Sequence, residues 1–217
     1  MKKIVALVGD YYHDEALARG ALTAAHAAAG LAGEAELAFI GADALAEALA
    51  QAPAAVVLFK ENRLNPQDAD VRTWMDESAA ERIAQYVRGG GAWLAWHSGL
   101  ASYPETSAYV RMLRGRFLHH PREHQTVRYA PAAGPGREEE PGGAFAFLDE
   151  HYFVECDEAN TDVFLRSSSV DGESIAGWRH GHGQGKVCCL TPAHRREGLT
   201  DPAFLRVLGQ CLRWCLA

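Results

Sequence analysis

The sequence has no long apolar run, no excess of positive charge and no cysteine pair at the spacing of a metal knuckle or redox motif, and each absence removes a class of function. The apolar stretch Ile4–Val8 behind Met1-Lys2-Lys3 stops at Gly9-Asp10. That is too short for the core of a secretory leader and far too short to span a bilayer, so neither is expected. Lys and Arg number 21 against 28 Asp and Glu, a net charge of -7. Without a basic field, nucleic acid and anionic membranes are not expected partners. Five cysteines is an odd number, and neither the adjacent Cys188-Cys189 nor Cys211 with Cys215 suits a metal or redox site. They read as reduced core thiols of a cytoplasmic protein. Gly-x-Ser-x-Gly is missing, since Ser98 sits in Trp96-His97-Ser98-Gly99-Leu100. The glycines at 89–91 and 181–185 lack the strand-to-helix context of a dinucleotide fingerprint, and no Walker lysine motif occurs. Nucleotide cofactors are therefore not expected.

What is present is an ordinary globular composition, 48% hydrophobic and 23% charged, in 217 residues with 21 Gly and 9 Pro. Such a chain buries a full core, and residues 1–217 read as one domain. Short apolar runs alternate with helical patterns, as in a mainly parallel sheet covered by helices on both faces. Strands are expected at 3–8, 37–40, 54–59 and 92–96, with helices at 14–29 and 43–51. Asn65-Pro66 has the form of a helix start. Ser78-Ala79-Ala80-Glu81 reads as a capping box opening a helix that ends at Gly89. Further strands are expected near 126–129, 163–166 and 175–178, the last forming a hairpin with 187–190. Asp201-Pro202 opens a final helix whose apolar residues, Leu212 and Trp214 among them, serve either the core or a homo-oligomer contact. The Gly-, Pro- and Glu-rich stretch 131–143 reads as a surface loop and a candidate lid.

In an open parallel sheet, ligands bind beyond the carboxyl ends of the strands. That rule selects Asp10, Tyr11, Tyr12, His13 and Asp14 after the first strand, Lys60 to Arg63 after the third, and His97 and Ser98 after the fourth. Ten histidines suit either acid–base work or a metal. A divalent metal would need at least three of His13, His97, His119, His120, Glu150 and His194 within coordination reach, and their spacing does not decide it. His124, His180 and His182 read as exposed residues of polar turns. In Asp149-Glu150-His151-Tyr152, between aromatic segments, strand alternation would put Glu150 and Tyr152 on one side and Asp149 and His151 on the other.

An ordered set of motifs resembles the ThuA-like (trehalose utilisation) family, whose fold is that of class I glutamine amidotransferases. The set is His13-Asp14, Gly89-Gly90-Gly91, His97-Ser98-Gly99, Gly115-x-Phe117, His120-Pro121, Asp149-Glu150-x-Tyr152, Trp178, Gly183-x-Gly185-Lys186-Val187 and His194. The resemblance implies a flavodoxin-like three-layer sandwich and a sugar or sugar derivative as ligand. It also implies that His97 stands where the amidotransferases carry their nucleophilic cysteine, so glutaminase activity is not expected. On this reading His97 is a base or ligand-orienting group, Glu150 its acid–base partner, and His194 with His120 polar or metal-assisting groups. Asp10, Tyr11, His13, Lys60, Ser98, Tyr103 and His119 complete the ligand-binding set, with Tyr11, Tyr12 and Tyr103 offering ring faces to a sugar. Where family members commonly have His-Pro and Leu-Gly-His, this chain has Glu140-Pro141 and Pro192-Ala193-His194. The alternatives are a non-catalytic binding module and a metal-dependent hydrolase.

Overall fold

The computed structural model describes residues 1–133 and 143–217. The elements in chain order are β1 (Lys2–Val8), α1 (Glu15–Ala28), β2 (Ala35–Phe39), α2 (Leu45–Ala50), β3 (Ala55–Phe59), α3 (Glu77–Arg88), β4 (Ala92–Trp96), α4 (Ala108–Leu113) and β5 (Gly115–His119). They continue with β6 (Gln125–Pro131), β7 (Phe145–Asp149), β8 (Phe153–Cys156), β9 (Asp162–Ser169), β10 (Gly172–His182), β11 (Gly185–Leu190), α5 (Arg196–Leu199) and α6 (Pro202–Leu216). Nine strands form one sheet in the order β2-β1-β3-β4-β11-β10-β9-β6-β7, and β5 pairs with β8 in a separate ribbon. From β2 to β11 every pairing is parallel; from β11 to β7 every pairing is antiparallel. The expectation of a mainly parallel sheet is therefore corrected to one that is half parallel. The reason is the amphipathic alternation of β6 and β7, which suits antiparallel strands with one face in the core, whereas β3 and β4 are buried along their whole length.

Two cores lie on opposite faces of the parallel half. Ile4, Ala6, Val57, Phe59 and Trp96 pack with Leu22 of α1 and Phe204, Leu208 and Leu212 of α6. Val5, Leu7, Val56, Leu58 and Trp93 pack with Leu45 of α2, Ile83 of α3 and Tyr109 of α4. Leu212 thus serves the core, while Trp214 lies under the cations of Arg179 and Lys186. Phe145 and Phe147 of β7 join the first core against Phe204, at ring separations of 6.3 and 6.2 Å. That packing draws the antiparallel arm back onto the helix layer and brings the end of β7 near the carboxyl ends of the parallel strands.

Local chemistry explains most boundaries. Asp14 caps α1, Ser107 caps α4 and Asp201, followed by Pro202, caps α6. The cap of α3 is Asp76, whose carboxylate accepts the Ala79 N–H at 2.7 Å. The helix opens two residues before the capping box expected at Ser78, so Ser78 lies inside the first turn, where its hydroxyl accepts from Arg82 and caps nothing. No helix follows Asn65-Pro66; the Asn65 amide instead bridges Asp68, the Asp70 carbonyl and the Arg72 N–H in a turn. The 131–143 segment lies for the most part outside the described residues. Among the described residues no helix is long and apolar enough to cross a membrane.

His180 is buried on β10, not exposed in the hairpin turn. Its Nε2 donates to the Met112 carbonyl at 3.0 Å, and its Nδ1 has no partner. Burial pushes its pKa down to about 4, because the low-polarity surroundings disfavour the imidazolium. With an unfolded value near 6.5, this group stabilises the fold above about pH 6.5 and loses that contribution as pH falls toward 4. Urea unfolding across that interval should show the acid-side loss in the wild type and a smaller loss in His180→Gln; an unchanged profile would contradict this account. Gly99, in the tight turn after β4, sits so close to β3 that a Cβ there would lie 2.2 Å from the Leu58 carbonyl oxygen. Gly99→Ala should therefore lower stability by about 2 kcal/mol or more, read as a fall in melting temperature.

Candidate functional site

Four loops meet beyond the carboxyl ends of β1, β4, β7 and β11. His97 begins the 3-10 turn after β4 with φ +46°, a left-handed conformation uncommon for a residue with a side chain. The conformation turns its imidazole off the strand end into the crevice. Its Nδ1 lies 2.6 Å from the carbonyl oxygen of Thr191, just past β11, so Nδ1–H donates there and Nε2 is left as a lone pair. His13 follows the same logic. Its Nδ1 donates to Asp10 Oδ1 at 2.6 Å, and its buried Nε2 has no partner.

Glu150, in the connection after β7, presents Oε2 to His97 Nε2 at 3.6 Å and to His194 Nδ1 at 3.3 Å. His97 Nε2 and His194 Nδ1 are 3.4 Å apart. One donor atom from each of His13, His97, Glu150 and His194 lies within 4.8 Å of the other three. Nitrogens of two imidazoles and a carboxylate oxygen thus converge on one point, an arrangement that calls for positive charge, as protons on the rings or as a cation among them. A tetrahedral zinc with bonds of about 2.0–2.1 Å has ligand–ligand edges of about 3.3–3.4 Å. The three resolved edges of 3.3, 3.4 and 3.6 Å approach that figure. Three imidazoles and one carboxylate form a donor set for a first-row divalent cation.

The surroundings set charge and orientation. Burial alone would push the Glu150 carboxyl up, but positive charge among the imidazoles of His97, His194 and His120, the role a bound cation would take over, outweighs it and holds the group well below the usual carboxylate range. Burial, with His97 alongside, pushes His194 down to about 3, so its ring is uncharged at neutral pH. Asp149 is enclosed in protein. It accepts the Tyr129 hydroxyl at 2.8 Å and the His194 backbone N–H at 2.7 Å, and burial raises its pKa to about 6. It fixes the His194 backbone next to Glu150. Burial would raise Asp10 too, yet the His13 imidazole and the backbone N–H groups of Glu61 and Tyr12 bring it down to about 2. Tyr152 stacks on His97 with ring centres 4.2 Å apart and covers its outer face.

The residues named from sequence divide clearly. His13, His97, Glu150 and His194 come together, Asp10 stands behind His13, and His120 Nε2 lies 3.7 Å from Glu150 Oε1. Glu150 and Tyr152 do share a side, lining one cavity, while His151 turns back to Ser167 and Ser169. Tyr11 is exposed at the rim. Lys60 ties its ammonium to the Gly9 carbonyl at 2.8 Å, and Ser98 is fully buried with no partner for its hydroxyl. Tyr103 is a core residue whose hydroxyl donates to the Lys60 carbonyl, so its ring face is not open to a sugar. His119 stacks on Phe153, on the β5–β8 ribbon. His124, read from sequence as a surface residue, joins the site instead. Its Nε2 is 3.6 Å from Glu150 Oε1, and its Nδ1 accepts from Arg195 at 3.0 Å. Its position four residues after His120 was the available signal. Cys188, Cys189, Cys211 and Cys215 are buried and Cys156 lies on β8, so no thiol faces the crevice.

A family model described as ThuA, trehalose utilisation, matches residues 13–215. A solved ThuA-like protein from Parabacteroides merdae superposes with a TM-score of 0.72 at 11% identity, covering 100% of this chain and 90% of its own. A cytoplasmic protein from Salmonella typhimurium LT2 gives 0.61 at 18% identity, covering 98% and 96%. The β-galactosidase of Bacillus circulans gives 0.62 at 11% identity over 98% of this chain, which corresponds to 31% of the galactosidase. At these identities the likeness is one of fold. No curated protein matches in sequence.

Proposed function

The chain belongs to the ThuA, trehalose-utilisation family, and from that premise and the crevice geometry we propose that it is a divalent-cation-dependent enzyme acting on a sugar or sugar derivative. The observation that carries this reading is the convergence of donor atoms from His13, His97, Glu150 and His194 within 4.8 Å of one another. Two of the imidazoles are already oriented by partners on their far nitrogens, Asp10 for His13 and the Thr191 carbonyl for His97. Such outer partners fix the tautomer and raise the basicity of metal-binding histidines. A bound cation would supply Lewis-acid polarisation of a substrate or water oxygen. The sugar follows from the family description, since the fold itself supports many chemistries.

In this reading His97 and Glu150 serve as ligands rather than as the acid–base pair expected from the sequence. Proton handling falls to His120 and His124, which flank Glu150 Oε1 at the mouth. The Nδ1 of His120 is engaged by the Pro121 carbonyl at 2.8 Å, so its Nε2 is the atom available to a substrate. Glutaminase chemistry has no support, because it needs a thiolate where His97 stands.

Elemental analysis of untagged protein loaded with zinc and desalted should give about one equivalent, and the double variant His97→Ala/His194→Ala should remove most of it. Zinc well below one equivalent in the wild type would contradict the reading. Asp10→Asn should keep the fold and weaken zinc about 10- to 100-fold in a competition titration with a chromogenic chelator; unchanged affinity would show that Asp10 does not orient His13 for a cation.

A further inference from the structure

Beside the four-residue cluster is a cavity of about 300 Å³ that shares His13 and Glu150 with it. Glu61, Arg63 and Ser102 line it together with Phe117 and Tyr152. Glu61 follows β3 and is only 2% exposed. Its Oε2 accepts from Arg63 Nε at 2.9 Å, Arg63 Nη2 at 2.8 Å and the Ser102 hydroxyl at 2.8 Å, while Oε1 is buried with no partner at all. Ser102 holds its hydroxyl in place from a left-handed backbone, φ +66°, a strained conformation of the kind that gathers at ligand sites. A buried carboxylate oxygen without a donor is costly, so the group that completes this wall must bring an O–H or N–H.

We propose that this cavity seats one uncharged, hydroxyl-bearing sugar ring, and that Glu61 Oε1 is the acceptor that selects it. The inference rests on the reading of the adjoining cluster as the reacting centre and names the substrate class that reaches it. Three features point the same way. An ionised carboxylate only accepts, so it welcomes a hydroxyl and repels a carboxylate or phosphate at the same position. Phe117, half-buried in the same lining, offers apolar ring surface to the C–H face of a sugar. The volume lies at the low end of the range of about 300–1,000 Å³ for ligand pockets, enough for one ring, with a second ring of a disaccharide left outside past Tyr12. Asp10 ties the subsite to the cluster, because Oδ2 accepts the Glu61 N–H at 2.9 Å while Oδ1 holds His13.

The test is calorimetric titration of the zinc-loaded protein with methyl α-D-glucopyranoside, its monodeoxy analogues and methyl α-D-glucopyranosiduronate. The wild type should bind the glucoside, bind one deoxy analogue at least about tenfold more weakly, and bind the uronate more weakly than the glucoside; a hydrogen bond to a charged group is worth about that much. Glu61→Gln should lose about tenfold for the glucoside and little more for that same deoxy analogue. The proposal is overturned if no glucoside binds at 50 mM (~10 mM Kd being the weakest expected), if no single hydroxyl matters, if the uronate is preferred, or if folded Glu61→Gln binds the glucoside as the wild type does. The deoxy series in the wild type decides the matter should the variant not fold. Zinc analysis on the same samples separates the two claims. Glu61-dependent affinity without zinc would overturn the cation reading alone, and one equivalent of zinc without that affinity would overturn this proposal alone.

Discussion

The hydrogen bond from His97 Nδ1–H to the Thr191 carbonyl joins the ends of two neighbouring parallel strands and, in doing so, commits the other nitrogen of His97 to the crevice as a lone pair. Asp10 imposes the same commitment on His13. Once both rings are fixed in this way, the approach of Glu150 Oε2 makes the centre a collection of acceptors that only positive charge can hold together. A proton could serve for one pair, but four donor atoms from four separate loops within 4.8 Å of one another suit a metal ion better. The fold supports that demand at some cost in local conformation: His97 in the cluster and Ser102 in the lining of the adjoining cavity both adopt left-handed backbone.

The two halves of the sheet have separate tasks. The parallel half, buried on both faces, presents the ends of β1, β3, β4 and β11 in one row, and the crevice lies where the topology of such sheets puts it. The antiparallel half supplies what that row lacks. Phe145 and Phe147 anchor β7 in the core under α6, and the next residues, Asp149 and Glu150, reach the row from the side. Asp149 spends its carboxylate on the Tyr129 hydroxyl and the His194 N–H, leaving Glu150 to face the imidazoles. Two adjacent acidic residues therefore have opposite characters, one pushed toward neutrality by burial and one held ionised by its neighbours.

The parallel half was legible in the sequence because continuous apolar runs such as Ala55–Phe59 and Ala92–Trp96 have few other uses, and the crevice rule then named Asp10, His13 and His97 without further help. The helix starts at Asp14 and at Asp201-Pro202 were legible for the same local reason. The strands β6 and β9 and the β10–β11 hairpin were legible too, but the pairing of β9 with β6 and the β5–β8 ribbon were not, since short half-exposed strands such as Gly115–His119 alternate weakly and pair with segments about 40 residues away, which no local pattern encodes. His124 looked like a surface residue and Tyr103 like a ring open to ligand, because burial depends on contacts between loops distant in sequence. The Ser78 capping box lost to Asp76, a competition between two plausible caps that the local motif alone could not settle.

The central claim is that these four side chains form one coordination sphere, and X-ray absorption at the zinc edge of the loaded protein tests it most directly. The account predicts a first shell of nitrogen and oxygen at about 2.0–2.1 Å with the outer-shell scattering of three imidazoles, reduced to two in His194→Ala. A first shell without imidazole scattering, or one unchanged by that substitution, would contradict it.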